Sequence, residues 1–284
     1  MMDPTRSRIG IMQGRLSPPC GGRIQAFPFE TWREEFSLAR EAGLAFIEWV
    51  LDDMSDENPV LHKDGQSEIA SLIDSTGVSV WALCADCYMT ERLIRSDGTI
   101  EERLVEHLIR VLHQASKVKI RHLVLPFVDS SSLKSAGEIE CLKTLLSRLK
   151  STVARTGVEL HLETDLEAGA VCEVLRHSGE EFRATYDMGN SAALGRDPNK
   201  EIPLLSNRIG SVHVKDRLLN GGTVPLGAGN VSFAACFERL REAGYEGIWT
   251  LQVARETGIS EVELAVRNRG FVAERLDRAD SKSA

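Results

Sequence analysis

The stretch that decides the fold reads IECLKTLLSRLKSTVARTGVELHLE at residues 139–163. Its first part predicts an amphipathic helix over residues 139–155, and its last part predicts a short buried strand over residues 159–163. Gly157 lies between them, where a left-handed helix cap costs least without a side chain. Helix, glycine and strand in this order form the repeating unit of a parallel sheet whose strands are joined by helices.

Seven further units of this kind can be counted along the chain, and glycine again separates helix from strand at Gly43, Gly77 and Gly244. The pattern predicts α/β architecture as a single (β/α)8 TIM barrel. We expect one domain over residues 1–284, with its core at 8–277 and a flexible tail at 278–284. An open doubly wound sheet is the rival fold, but its Gly-rich phosphate turn is missing from QGRLSPP at 13–19. The other predicted strands span 9–12, 45–50, 79–85, 122–128, 182–187, 209–215 and 248–253, and the other predicted helices span 31–42, 68–76, 100–116, 167–177, 198–205, 233–243 and 260–276.

Composition narrows the classes of partner. The chain has 284 residues, of which 42% are hydrophobic, and a formal charge of -8, which argues against nucleic acid or a membrane surface as partner. No apolar run is long enough to span a membrane, and residues 1–10 do not read as a secretory signal, so we expect a cytoplasmic protein. Cys84 and Cys87 form a C-x-x-C pair, but residues 88–90 read as loop, which favours buried or loop thiols over a redox motif.

Polar side chains collect where the predicted strands end, which is where barrel enzymes carry their chemistry. Any one of them could be a solvated strand end. Glu163, Asp187 and His213, however, end three successive strands, so closing the barrel would bring their oxygen and nitrogen donors towards one centre. Such a donor set suits Mn²⁺ or Mg²⁺, with Zn²⁺ and Co²⁺ as alternatives. The polar strand ends are Glu48, Asp86, Glu163, Asp187, His213, Lys215 and Gln252.

Four motifs carry a family resemblance: LHLE at 160–163, YDMGN at 186–190, VHVKD at 212–216 and VPLGAGNVSF at 224–233. Together they resemble the xylose-isomerase-like sugar phosphate isomerase/epimerase superfamily, and within it the L-ribulose-5-phosphate (L-xylulose-5-phosphate) 3-epimerase branch. The resemblance implies one divalent metal ion held by Glu163, Asp187, His213 and Gln252. It also implies proton removal next to a carbonyl, through an enediolate, with Glu163 as base.

Three positions depart from the family pattern. Gln252 stands where the family has a Glu that is both a metal ligand and one of two acid/base groups, and an amide cannot accept that proton. Asp86 stands where the branch leads us to expect His; it is either a loop-capping residue or a substitute acid/base group. Asn190 replaces the His of the multi-zinc endonuclease branch, so a three-zinc cluster is not expected.

Further residues are expected to contact the substrate. Arg15, Arg217 and Arg255 fall in loops at the catalytic end and could clamp a phosphate or carboxylate, although a solvated surface role is the alternative for each. Lys215 could polarise the carbonyl oxygen or pair with a neighbouring carboxylate such as Asp216. We also expect contacts from Glu48 and Asn190. Gly227 and Gly229 could bind phosphate through backbone N–H groups or could simply form a tight turn.

The function that these expectations favour is a metal-dependent isomerase or epimerase of a sugar or sugar phosphate. A dehydratase of an inositol-like ketone is one alternative. A catalytically degenerate sugar-binding or regulatory barrel is another, because Gln252 could mark a loss of catalysis. Homodimers and homotetramers are both left open.

Overall fold

The structure, a computed structural model, describes residues 8–280, and its centre is a closed barrel of parallel strands. The eight strands pair in the order β1-β10-β7-β6-β5-β4-β3-β2, which confirms the (β/α)8 barrel predicted from the sequence. The barrel strands are β1 (Ile9–Met12), β2 (Phe46–Val50), β3 (Ser79–Cys84), β4 (His122–Phe127), β5 (Glu159–Thr164), β6 (Phe182–Asp187), β7 (Ile209–Val214) and β10 (Ile248–Leu251).

Helices join the strands on the outside of the barrel and end where the glycines predict. The backbone of Gly77 has φ 74° and that of Gly157 has φ 68°, the left-handed conformation in which a side chain would be strained. The helices are α1 (Glu34–Glu41), α2 (Lys63–Thr76), α3 (Cys87–Thr90), α4 (Glu102–Lys117), α5 (Ala136–Thr156), α6 (Ala168–Arg176), α7 (Met188–Ala193), α8 (Pro198–Leu205), α9 (Phe233–Glu242) and α10 (Glu261–Asp280).

The chain departs from the sequence prediction at four places. Residues 88–90 were expected to be loop, and this was wrong, because Cys87–Thr90 forms the short helix α3. Helix α7 was missed, as was a two-stranded antiparallel hairpin of β8 (Asp216–Arg217) and β9 (Thr223–Val224). The tail expected over residues 278–284 begins inside α10, and residues 281–284 lie outside the described residues.

Alternation along β2 shows how the barrel separates its two faces. Glu48 points into the barrel, where it contacts His213, whereas Trp49 points outward and packs against Phe27 and Trp32. Neighbouring residues of a strand face opposite ways, so the aromatic shell and the polar interior come from alternate positions.

Among the described residues, no helix combines the length and apolar character needed to cross a membrane.

Candidate metal centre and its cavity

Three ionisable side chains meet inside the barrel at the C-terminal end of its strands. Glu163 lies near the end of β5, Asp187 ends β6, and His213 pairs with Asp187 across the β6–β7 register. One donor atom from each lies within 4.8 Å of the others, and all three residues are buried. His213 Nδ1 lies 3.5 Å from Glu163 Oε2 and 3.9 Å from Asp187 Oδ2.

A third carboxylate, that of Glu48, holds the imidazole of His213 from the side away from the cluster. Glu48, which has no exposed surface, lies with Oε1 3.0 Å from His213 Nε2, and its other oxygen accepts from Thr250. The Nδ1 atom of His213 is buried and has no hydrogen-bond partner. This arrangement orients the imidazole: Glu48 holds the proton on Nε2, and Nδ1, once its own proton is lost, offers a lone pair to the cluster.

The pKa values of the three cluster residues are shifted by burial and by the charges of their neighbours. Burial raises the pKa of Glu163, and neighbouring Asp187 adds to the effect. Burial also opposes the charge of Asp187, but Lys215 and His213 hold its pKa below the ordinary range. For His213, burial lowers the pKa, yet the carboxylates of Glu48 and Glu163 outweigh burial and raise it to about 9.

These donors fit a divalent cation. Two carboxylates and one imidazole with an unused nitrogen converge within ligand distance of one point, and a carboxylate behind the imidazole orients it, as in many metal sites. A 2+ charge would also relieve the repulsion between Glu163 and Asp187. The cluster can therefore hold one metal ion.

Lys215 completes the charge balance of the cluster. Its Nζ donates to Asp187 Oδ2 at 3.1 Å and to Gln252 Oε1 at 2.9 Å. The ion pair weighed from the sequence is therefore made with Asp187 and not with Asp216. The carboxylate of Asp216 instead accepts from the backbone N–H groups of Gly227 and Gly229, at 2.8 and 2.9 Å. The glycine segment is thus a tight turn closed around Asp216.

A row of hydrogen-bonded side chains extends from Gln252 across the cavity. Gln252 Nε2 donates to Gln25 Oε1 at 3.1 Å, and Gln25 Nε2 donates to Asp86. Asp86 also accepts from the Cys84 thiol, and burial raises its pKa. Gln25 was not predicted as a site residue, because it lies in an irregular loop after β1 and belongs to no motif.

Asn190 links the cluster to the outer loops. Its Nδ2 donates to Glu163 Oε1 at 2.7 Å, and its Oδ1 accepts from Arg217 at 2.8 Å. Its backbone N–H is held at 2.8 Å by Asp187 Oδ1, which caps the start of α7. One carboxylate oxygen of Asp187 therefore fixes the local backbone, and the other faces the cluster.

A cavity of about 320 Å³ opens above the cluster. It brings together most of the predicted site residues, and also four that the sequence analysis missed: Arg23, Gln25, Asp52 and Asp129. The predicted site residues outside its wall are Glu48, Asp187, His213, Arg217 and Arg255. Glu48 lies beneath the cluster as the partner of His213, and Arg255 donates to the backbone carbonyls of Gly14 and Ser17. The predicted site residues in the wall are Arg15, Asp86, Glu163, Asn190, Lys215 and Gln252.

The fold and the cluster define a (β/α)8 barrel with a candidate metal centre at the C-terminal end of its strands. A family model described as xylose isomerase-like TIM barrel matches residues 36–274. The chain belongs to this family, which confirms the resemblance seen in the sequence.

Curated relatives and solved structures agree with this membership. The chain is 27% identical over 274 residues to L-ribulose-5-phosphate 3-epimerase UlaE of Escherichia coli K12, covering 92% of this chain and 96% of the relative. A solved L-ribulose 3-epimerase superposes with a TM-score of 0.76 at 19% identity, covering 97% of this chain and 96% of the other. The zinc-bound IOLI protein gives a TM-score of 0.75 at 12% identity, with 96% and 99% covered. The last two likenesses concern the fold alone.

Proposed function

We propose that this protein is a metal-dependent epimerase or isomerase of a sugar or sugar phosphate, working through an enediolate. The observation that carries the proposal is the buried Nδ1 of His213, which has no hydrogen-bond partner and faces Asp187 and Glu163, of which Glu163 lines the cavity. Support also comes from the curated relatives, which are named as L-ribulose-5-phosphate 3-epimerases.

The metal in this proposal is held by Glu163, Asp187, His213 and the side-chain oxygen of Gln252. Mn²⁺ or Mg²⁺ suits the oxygen-rich set, and Zn²⁺ or Co²⁺ is the alternative. When bound, the cation stabilises negative charge that develops on the substrate oxygen atoms. The side-chain oxygen of Gln252 has two lone pairs, so one can bind the cation while the other accepts from Lys215. The third N–H of the Lys215 ammonium is proposed to polarise the substrate carbonyl.

Proton transfer is assigned to Glu163 and Asp86, which both lie in the cavity wall. Glu163 takes the proton from the carbon next to the carbonyl, and the electron pair of the C–H bond moves to form the enediolate. Returning that proton from Glu163 to the former carbonyl carbon, while the hydroxyl proton passes to the former carbonyl oxygen, isomerises the sugar. Delivering a proton from Asp86 to the opposite face of the same carbon would invert it. Asn190 and Arg15 are proposed to bind substrate hydroxyl groups.

Solvent-deuterium exchange tests the proposal. Protein loaded with Mn²⁺ is incubated in D₂O with ketoses and ketose phosphates, and deuterium in the recovered sugar is measured. Incorporation that depends on metal supports the enzyme. No incorporation with any of these substrates would reject it.

A second candidate is a sugar-binding barrel without catalysis. The observation that favours it is the side chain of Gln252, which replaces an acid/base group and is held between Lys215 and Gln25. Such a protein would bind a ketose in calorimetry and exchange no deuterium.

A further inference from the structure

Arg15, which borders the cavity, is held by the protein itself. Its Nε donates to the carbonyl of Val253 at 2.9 Å, and its two terminal nitrogens donate to the carbonyl of Ile24 and to Gln25 Oε1. A guanidinium binds a phosphate strongly when it presents two adjacent N–H groups side by side. Arg15 uses three of its five N–H groups to link these loops, which leaves one N–H on each terminal nitrogen for a ligand.

Two more arginines at this end of the barrel are similarly engaged. Arg255 donates to the carbonyls of Ser17 and Gly14, and it lies outside the cavity wall. Arg217 donates to Asn190 Oδ1 at 2.8 Å and also to a backbone carbonyl of its own hairpin. Both side chains therefore use N–H groups in hydrogen bonds that link neighbouring segments of the protein.

Backbone N–H groups after β7 are also occupied. The amides of Gly227, Gly229 and Val231 all donate to the carboxylate of Asp216, which is fully buried. The carboxylate of Asp216 occupies the N–H groups that would otherwise bind a phosphate. The turn therefore already holds an anion that belongs to the protein.

The mouth of the cavity carries negative charge. Asp52 and Asp129 both lie in its wall, and Asp129 is exposed. Arg23 also lies in the wall and pairs with Asp52 at 3.1 Å. A phosphate group carries about two negative charges at neutral pH, so these carboxylates would repel it.

The floor offers neutral hydrogen-bonding groups. Gln25, Gln252 and Asn190 line the cavity, and each side-chain amide donates one of its two N–H groups within the protein, which leaves the other N–H for a ligand. Sugar hydroxyl groups match such donors, because the oxygen of each hydroxyl accepts.

We propose that the substrate is a neutral, unphosphorylated ketose, recognised through its hydroxyl groups by Gln25, Asn190 and Gln252. This rests on the proposed function of the same site and narrows its substrate class. The acidic mouth formed by Asp52 and Asp129 selects against the phosphorylated sugar. The relatives named for a phosphate ester would differ from this chain in that respect.

A matched pair of substrates tests the inference: L-ribulose and L-ribulose 5-phosphate. Deuterium exchange is measured with Mn²⁺-loaded protein, and kcat/KM is compared. We expect L-ribulose to be preferred by about tenfold or more, because like charges at a binding surface are strongly unfavourable. Equal or higher kcat/KM for the phosphate would overturn the inference and leave the proposed function standing. Exchange into neither would reject both.

Variants at the mouth give an independent readout. The double variant Asp52→Asn with Asp129→Asn removes two carboxylate charges and releases Arg23. Asn tolerates the positive φ of 49° at position 129, so the loop is preserved. We expect the preference for L-ribulose to shrink by about tenfold. The control is Glu246→Gln, which removes a carboxylate at the opposite end of the barrel and should leave the preference unchanged. An unchanged preference in the double variant would contradict the inference.

Discussion

The Nε2 atom of His213 lies 3.0 Å from Oε1 of Glu48, and this contact leaves Nδ1 facing Glu163. Both residues are fully buried, so the pair is isolated from solvent. The carboxylate keeps the proton on Nε2 and increases the basicity of Nδ1. The contact therefore prepares the imidazole for a cation before any cation is present.

Replacing Glu48 by Gln should weaken Mn²⁺ binding by about tenfold. The amide oxygen of Gln can still accept from His213, but the negative charge of Glu48 is lost. We therefore expect the smaller of the losses in metal affinity that follow replacement of a residue bonded to a metal ligand. Titration calorimetry measures the affinity. Glu201→Gln is the control, because Glu201 is another buried, hydrogen-bonded carboxylate and lies outside the cluster. Equal affinities for Glu48→Gln and wild type would show that Glu48 does not tune the site.

Each of the variants Glu163→Gln, Asp187→Asn and His213→Ala should weaken metal retention by an order of magnitude or more, as loss of a direct ligand does. Metal content after dialysis provides the measurement. Glu159→Gln, on the same strand as Glu163 but at the other end of it, is the matched control. If all three variants kept their metal, the site would lie elsewhere.

Gln252→Glu should raise the affinity for divalent cations, because a full charge replaces a dipole next to Asp187 and Lys215. Gln66→Glu adds the same charge at a buried amide far along the chain and should not change it. Competition with a metal-sensitive dye compares the two. Lower affinity in Gln252→Glu would argue that residue 252 is not a ligand.

The sequence predicts the barrel and the cluster because both follow from local regularities. Short apolar runs, helices and the glycines of the helix caps repeat through the chain, which predicts a parallel sheet, and the missing Gly-rich phosphate turn favours the closed barrel over the open sheet. Glu163, Asp187 and His213 come near the ends of buried strands. Since alternation fixes which face each residue takes, their meeting inside the barrel could be anticipated.

The loops could not be anticipated in the same way. Gln25 reaches Asp86 and Gln252 only because the segment after β1 folds over the barrel, and contacts distant in sequence decide that path. Arg255 was expected to contact substrate, but whether a guanidinium meets ligand or backbone carbonyls depends on those loops. Helix α7 escaped prediction because its six residues are too few to show a period, and its cap is the cluster residue Asp187.

The loop after β1 is held by hydrogen bonds to Glu35 of helix α1, a carboxyl group whose charge changes with pH. This buried carboxylate accepts from the N–H groups of Gly14 and Leu16, and burial raises its pKa to about 7 from 4.5. A raised pKa means that the folded state holds the proton more tightly. The stabilisation is therefore complete below about pH 4.5 and is lost as the pH rises through about 7.

Relative to Glu35→Gln, which does not titrate, wild type should lose up to about 3 kcal/mol of unfolding free energy between pH 5 and pH 8. Urea denaturation at several pH values measures the difference. The exposed neighbour Glu34, changed to Gln, is the control for an effect of helix α1 charge alone. If the unfolding free energy of wild type relative to Glu35→Gln stayed constant, or increased with pH, a raised pKa at Glu35 would be contradicted.

We expect proton transfer to depend on two carboxyl groups, those of Glu163, a proposed metal ligand, and of Asp86, which is not one. Glu163→Gln should cut turnover by roughly 10² to 10⁴ even in excess Mn²⁺, the usual share of a general base. Asp86→Asn should depress epimerisation and leave metal content intact, because Asp86 contacts Gln25 and Cys84 and no member of the cluster. Adding Gln252→Glu to Asp86→Asn should then restore part of the rate, since it returns a carboxylate to the cavity wall. Deuterium exchange into a ketose compares wild type with these variants. Exchange that is insensitive to Glu163 would place the base on another residue.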